Sequence, residues 1–214
     1  MKSNRVILAV VMLVLLACSL PSAIGTLEPD PFPTEIALEE TVPVQEETAP
    51  TPTVEATEIV PVVFSLTSDA FAEGEFIPDK YAYSLGGQCS GENFSPSLIW
   101  TGAPEGTQSF AILVNDPDGG NWVHWLLFDI PADVTQLDEA TSGPDDVGVR
   151  GVNDFGNLGY GGPCPPSGTH RYIFTLYALD TVLSLPQGAS RTRFNSAING
   201  HVLGTTQLTG LRSR

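Results

Sequence analysis

The chain has 214 residues, a formal net charge of -16 and three cysteines. After Arg5 its only lysine is Lys80, and its few arginines are scattered. It therefore has no broad basic surface for a nucleic acid or for anionic lipid, and any anion must be held by a local site rather than by the field of the whole molecule.

Residues 1–18 read as a targeting segment. Lys2 and Arg5 precede the apolar run from Val6 to Ala17, which is short for a membrane-spanning helix. The run ends Leu15-Leu16-Ala17-Cys18, which resembles a bacterial lipobox and predicts a lipidated Cys18. An extracytoplasmic lipoprotein, anchored to a membrane by its N-terminal lipid, is the resulting expectation. Cleavage further on, for example after Gly25, gives a secreted protein, and an uncleaved signal anchor is a third reading. Residues 19–61 are rich in Pro, Thr and Glu, with nine acidic residues and no basic residue between Thr26 and Val62. With little periodic apolar surface to offset ordering entropy, this stretch is expected to be a disordered, self-repelling linker.

Residues 62–214 have the composition of one folded domain, long enough for its own core. Val63-Phe64-Ser65-Leu66 alternates, and Lys80 to Leu85, Ser109 to Asn115, Trp122 to Ile130 and Arg171 to Leu179 read as strands. Phe194, Ile198, Val202 and Leu208 recur at near-helical spacing behind Ser190, a candidate cap. Gly200 and Gly204 weaken that helix. The predicted class is all-β-dominated with one or two peripheral helices.

The second and third long strands flank Asp116-Pro117-Asp118-Gly119-Gly120-Asn121, a turn sequence that predicts a β-hairpin. Asp116 then lies about opposite Trp122, with His124 as its diagonal neighbour. An imidazole buried among Val, Trp and Leu needs a polar partner, and Asp116 is the candidate. The plainer alternative makes the Asp-Pro-Asp-Gly segment turn chemistry alone and His124 a satisfied core histidine. A second stretch, Gly156 to Gly168, holds many Gly and Pro residues, and His170 follows it on the face shared by Tyr172 and Phe174. Such a loop allows close backbone approach and can aim N–H groups at an anion, or it is surface filler.

Taken together, Asp116-Pro117-Asp118, His124-Trp125, Gly162-Pro163-Cys164-Pro165-Pro166 and His170-Arg171-Tyr172 resemble the signature of the phosphatidylethanolamine-binding protein family, in its bacterial Raf kinase inhibitor-like branch. Further matches, including Ile77-Pro78, Gly91-Glu92-Asn93, Trp100 and Phe155-Gly156, extend the likeness from about Phe64 to Leu208. The resemblance implies a large central antiparallel sheet, a second smaller sheet and short peripheral helices. It also implies one pocket for phosphate, a phospholipid head group such as phosphoethanolamine, or a similar small anion, lined by Asp116, Trp122, His124, Gly162, Pro163, His170 and Tyr172, with no cofactor. On this reading His124 and His170, oriented by Asp116, bind the anion with help from the Gly162 N–H, and affinity falls as pH rises through the histidine range. Gly119-Gly120 shortens the turn relative to the family's usual form.

Competing readings are a metal triad of Asp116, His124 and His170, a hydrolase using Cys164 or Ser167, and an inhibitor that contacts an extracytoplasmic protease or other enzyme. If Cys18 is lipidated, Cys89 and Cys164 remain, and outside the cytoplasm a disulfide between them is the economical pairing. A binding module, not an enzyme, is the expectation that follows.

Overall fold

A computed structural model describes residues 63–141 and 147–214. The targeting segment, Cys18 and the acidic linker lie outside the described residues.

Four long strands carry the domain: β5 (Ser109–Asp116), β6 (Trp122–Pro131), β9 (Thr169–Leu179) and β10 (Val202–Ser213). With the short β8 (Val149–Arg150) they form a five-stranded antiparallel sheet in the order β10-β9-β5-β6-β8. A second sheet orders β1 (Ser65–Thr67), β4 (Leu98–Thr101) and β7 (Gln136–Leu137), and β2 (Ser84–Leu85) pairs with β3 (Cys89–Ser90) as a small ribbon. The fold is thus strand-dominated, with a large central sheet and smaller ones, as expected.

Strand alternation sorts the apolar residues into two cores. Phe110, Ile112 and Val114 of β5 and Phe174, Leu176 and Ala178 of β9 pack with Leu66, Leu98, Trp100 and Leu137 of the second sheet. The intervening Ala111 and Leu113 face the opposite side, where they meet Phe194 and Ile198 of α1 (Arg191–Ile198). Both faces of the central strands are covered, which explains why their sequences read as nearly continuous apolar runs.

Two sequence expectations change. Lys80 to Leu85 is not one strand: Asp79–Tyr81 forms a 3-10 turn, and only Ser84–Leu85 is extended. Pro78 opens that turn, and the buried Tyr81 hydroxyl donates to Glu139 at 2.7 Å. The predicted helix also stops early. Ser190 caps it, its Oγ accepting the Arg193 N–H at 3.4 Å, but Gly200 at φ +85° turns the chain and places Val202 and Leu208 on β10. Glycine adopts this left-handed conformation without a Cβ clash, and a helix commonly ends on it.

Candidate functional site

The β5–β6 hairpin brings Asp116 opposite Trp122, as its sequence predicts. Both carboxylates of Asp-Pro-Asp reach the start of β9. Asp116 Oδ2 meets His170 Nδ1 at 2.7 Å, and Asp116 Oδ1 accepts the Gly119 N–H at 2.8 Å. Asp118 accepts both the Arg171 backbone N–H at 2.9 Å and its guanidinium at 2.8 and 3.0 Å. That guanidinium holds the Asp118 carboxyl at about 2. A Cβ on Gly119 would sit 2.6 Å from Asp116 Oδ2, so a larger residue there would push that carboxylate aside.

A bulge sets the direction of His124. Val114 pairs with Trp125, but the next residue, Asn115, pairs with Val123, so His124 is the extra residue of β6. The phase of the strand reverses there: Trp125 belongs to one core and Val123 to the other. His124 is thereby aimed beside Tyr172, its ring edge-on at 5.0 Å, and beside Phe155 at 5.4 Å. Re-aiming one side chain is what an inserted residue can do in an otherwise regular ladder. The polar partner of His124 is the backbone of Gly161. Its Nδ1 lies 2.6 Å from the Gly161 carbonyl, while the Gly161 N–H donates to the His124 carbonyl at 2.7 Å. Burial pushes the His124 pKa below the usual range, outweighing the opposing pull of that carbonyl and of the Asp116 charge.

Between these groups lies a pit of about 260 Å³, lined by Asp116, Gly119, Trp122, His124, Phe155, Cys164, Pro166 and Tyr172. Tyr172 is buried, and its hydroxyl, out of contact with solvent, has the Cys164 backbone beside it. Burial and the Asp116 charge raise its pKa, so the phenol keeps its proton. Phe155 stacks on Tyr83 at 4.3 Å and meets the exposed Trp122 edge-on, forming one wall. Cys164 is bonded to Cys89, with Cα atoms 5.9 Å apart. The disulfide ties the opposite wall to the β2–β3 ribbon.

Residues 67–213, which include all of these groups, match the phosphatidylethanolamine-binding protein family. The chain belongs to this family. It is 48% identical to a UPF0098 protein of Methanothermobacter thermautotrophicus over 70% of this chain and 99% of the relative. It is 39% identical to UPF0098 protein YbcL of Escherichia coli, over 68% of this chain and 85% of the relative. The crystal structure of E. coli YbcL, described as a new member of the mammalian PEBP family, superposes with a TM-score of 0.66 over 71% of this chain and 98% of that one. A PEBP homolog from Chlamydia trachomatis superposes at 0.63, covering 71% and 97%.

Four of the seven residues carried over from the family, Asp116, Trp122, His124 and Tyr172, line the pit of this PEBP domain. His170 stands behind Asp116 as its partner. Gly162 and Pro163 support the pit without lining it. The Gly162 N–H donates to Asn93 Oδ1 at 2.7 Å, so it is not available to an anion, and the Pro163 carbonyl accepts from the Tyr83 N–H at 3.1 Å. The expected pairing of Asp116 with His124 is likewise replaced, because the Gly161 carbonyl takes His124 and His170 takes Asp116. Phe155, Gly119, Cys164 and Pro166 were not among the expected lining residues. Phe155, an aromatic ring in a polar Asn/Asp/Gly turn, was the available signal. Among the described residues no three His, Cys, Asp or Glu side chains are grouped to hold a metal ion. Cys164, as a disulfide, offers no thiolate, and Ser167 is exposed on its loop.

Proposed function

We propose that this PEBP-family domain is an exported binding module that takes a small phosphate-type anion in the pit beside His124. The observation that carries this reading is that Asp116, His124 and Tyr172 line one small cavity with aromatic walls. A few aimed polar groups in an otherwise apolar concavity are the usual make-up of a small-molecule site. Tyr172 supplies an O–H donor to an anionic oxygen, and Trp122 and Phe155 exclude water from one side. Asp116 holds His170 and closes the turn, so it fixes the shape of the floor. Nothing in this arrangement supplies an activated nucleophile, and the chain is read as a binder rather than an enzyme. The lipobox-like segment ending at Cys18 supports display of the domain outside the cytoplasm, at a membrane.

Calorimetric titration of inorganic phosphate into the wild type and into Tyr172→Phe tests the assignment. Losing one hydrogen bond to a charged ligand costs about 1.5–3 kcal/mol, roughly a ten- to hundredfold loss of affinity. Equal affinity in both proteins would place the anion elsewhere, and no binding by the wild type would remove the reading.

A further inference from the structure

Away from the pit, and sharing no lining residue with it, a groove of about 340 Å³ opens between the outer strands of the two sheets. β10 is the outer strand of the central sheet, and β1 that of the second sheet. Leu66 of β1, Phe71 and Leu208 of β10 form the apolar floor of the groove, and Gln207 and Glu73 stand at its exposed margin. The free edge of β10 is only half covered. Residues 73–77 run beside its last part as a parallel partner. There the Gly74 N–H donates to the Thr209 carbonyl, the Leu211 N–H to the Glu75 carbonyl and the Ile77 N–H to the Leu211 carbonyl, each at 2.8 Å. Glu73 ends this cover, its Oε2 accepting the Thr209 N–H at 2.7 Å. Alternate residues of a strand turn their backbone groups to the same edge. β10 keeps one register with β9 over residues 204–213, so Thr205 and Gln207 face outward as Thr209 and Leu211 do. Both are exposed, and among the described residues no hydrogen bond reaches their outward N–H and C=O groups. A strand edge left this way is a template for another strand.

We propose that this edge binds an extended peptide segment of a partner protein, which adds to the central sheet beside Thr205 and Gln207, sets an apolar side chain over Leu66, Phe71 and Leu208, and brings a lysine or arginine to Glu73. Main-chain bonds to the edge supply affinity, and the alternate side chains that face the groove supply selection. The preference for a cation comes from Glu73. One of its carboxylate oxygens is taken by Thr209, the other is taken by none of the described residues, and Asp69 and Glu75 are exposed on the same segment. Among the described residues no lysine or arginine lines the groove. This sign selects among occupants. A second copy would offer its own β10, which has no basic residue between Val202 and Leu211. The chain's own residues 26–62 carry nine acidic residues and no basic one, the wrong charge for Glu73. A foreign segment with alternating apolar residues and a basic end meets the lattice, the floor and the charge together. The edge is separate from the anion site, so either can stand without the other.

The probes are end-capped peptides of alternating threonine and valine in which lysine takes the last valine position, a copy with glutamate there, and a copy with proline in place of each threonine. Each is titrated by fluorescence anisotropy into the full-length chain, and amide hydrogen exchange is read by NMR. In the free chain the Thr205 and Gln207 amides should exchange fast, and those of Thr209 and Leu211 slowly. The lysine peptide should bind and slow the exchange of Thr205 and Gln207. The glutamate copy should bind about two- to fivefold more weakly, and the proline copy, which lacks half the donors, at least about tenfold more weakly. Glu73→Gln keeps an acceptor for the Thr209 N–H and should bring the lysine and glutamate peptides to equal affinity. Slow exchange of Thr205 and Gln207 in the free chain overturns the proposal: if it speeds up on dilution the edge belongs to a second copy, and if it does not, to the chain's own N-terminal residues. The proposal also falls if no peptide binds, if binding leaves these two amides unchanged, or if wild type binds the lysine and glutamate peptides equally.

Discussion

His124 is inserted by a bulge, locked by a backbone carbonyl and enclosed by two aromatic rings. These features make its neutral form part of the folded state. The folded pKa lies below the ordinary value of 6.5, so the unfolded chain binds the proton more readily. Stability associated with this group is therefore complete above about pH 6.5 and is lost as pH falls toward and through the lower folded pKa. Chemical denaturation of wild type and His124→Asn across this range checks the sign. Asparagine retains a donor for the Gly161 carbonyl but does not titrate. The stability difference between the two proteins should change in favour of the variant on acidification. A difference independent of pH would show that His124 is protonated equally in folded and unfolded chains. His124 was legible in the sequence as a buried imidazole in need of a partner. The partner was not, because Gly161 lies 37 positions away and is recognisable only by its main chain.

Three elements line the pit: the β5–β6 hairpin, the loop from Phe155 to Pro166, and β9, which supplies Tyr172; the β2–β3 ribbon is tied to that loop by the disulfide. At Gly162 the loop packs closely on the segment ahead of the ribbon. A Cβ there would lie 2.3 Å from the Tyr81 carbonyl oxygen and 2.5 Å from the Tyr83 nitrogen. Because the obstruction is backbone rather than a movable side chain, Gly162→Ala is expected to cost about 1–3 kcal/mol through enforced main-chain shifts. Denaturant unfolding measures this, and a loss within experimental error would show that the two segments separate freely. The Cys89–Cys164 bond closes a span of 75 residues around the same contact. In the chain-entropy account such a cross-link contributes up to about 4 kcal/mol. The paired Cys89→Ser and Cys164→Ser variant should therefore unfold at lower denaturant concentration, and phosphate affinity should fall as the Cys164 wall loosens. Unchanged stability with two free thiols in the wild type would mean that the bond does not form in the protein as isolated. The hairpin and β9 were readable because apolar runs and turn chemistry are local, whereas β10 read as a continuation of the helix. The loop was readable only as unusual, because the hydrogen-bonding role of a glycine depends on what it packs against.

For the whole molecule, sequence and tertiary structure answered different questions. The N-terminal run and Cys18 predict a lipidated mature terminus, and intact mass of the protein purified from membranes tests it. The expected outcome is a diacyl- or triacyl-modified chain beginning at Cys18, with Cys18→Ser released or unprocessed. An unmodified chain beginning at Thr26 would make the protein secreted instead. The sequence alone determined the fold class, three of the four long strands, the pairing of the two later cysteines and the family, because composition, apolar runs and motif spacing are properties of the chain itself. It also marked Asp116, Trp122, His124 and Tyr172, all of which line the pit. Tertiary structure alone decided that α1 ends before Val202, that the Gly162 N–H belongs to Asn93, and that Asp116 holds His170 while Gly161 holds His124. Each of these depends on which acceptor a donor reaches first once distant segments are packed. A single inserted residue in β6 is enough to change that answer, since it reverses the face on which every preceding side chain stands.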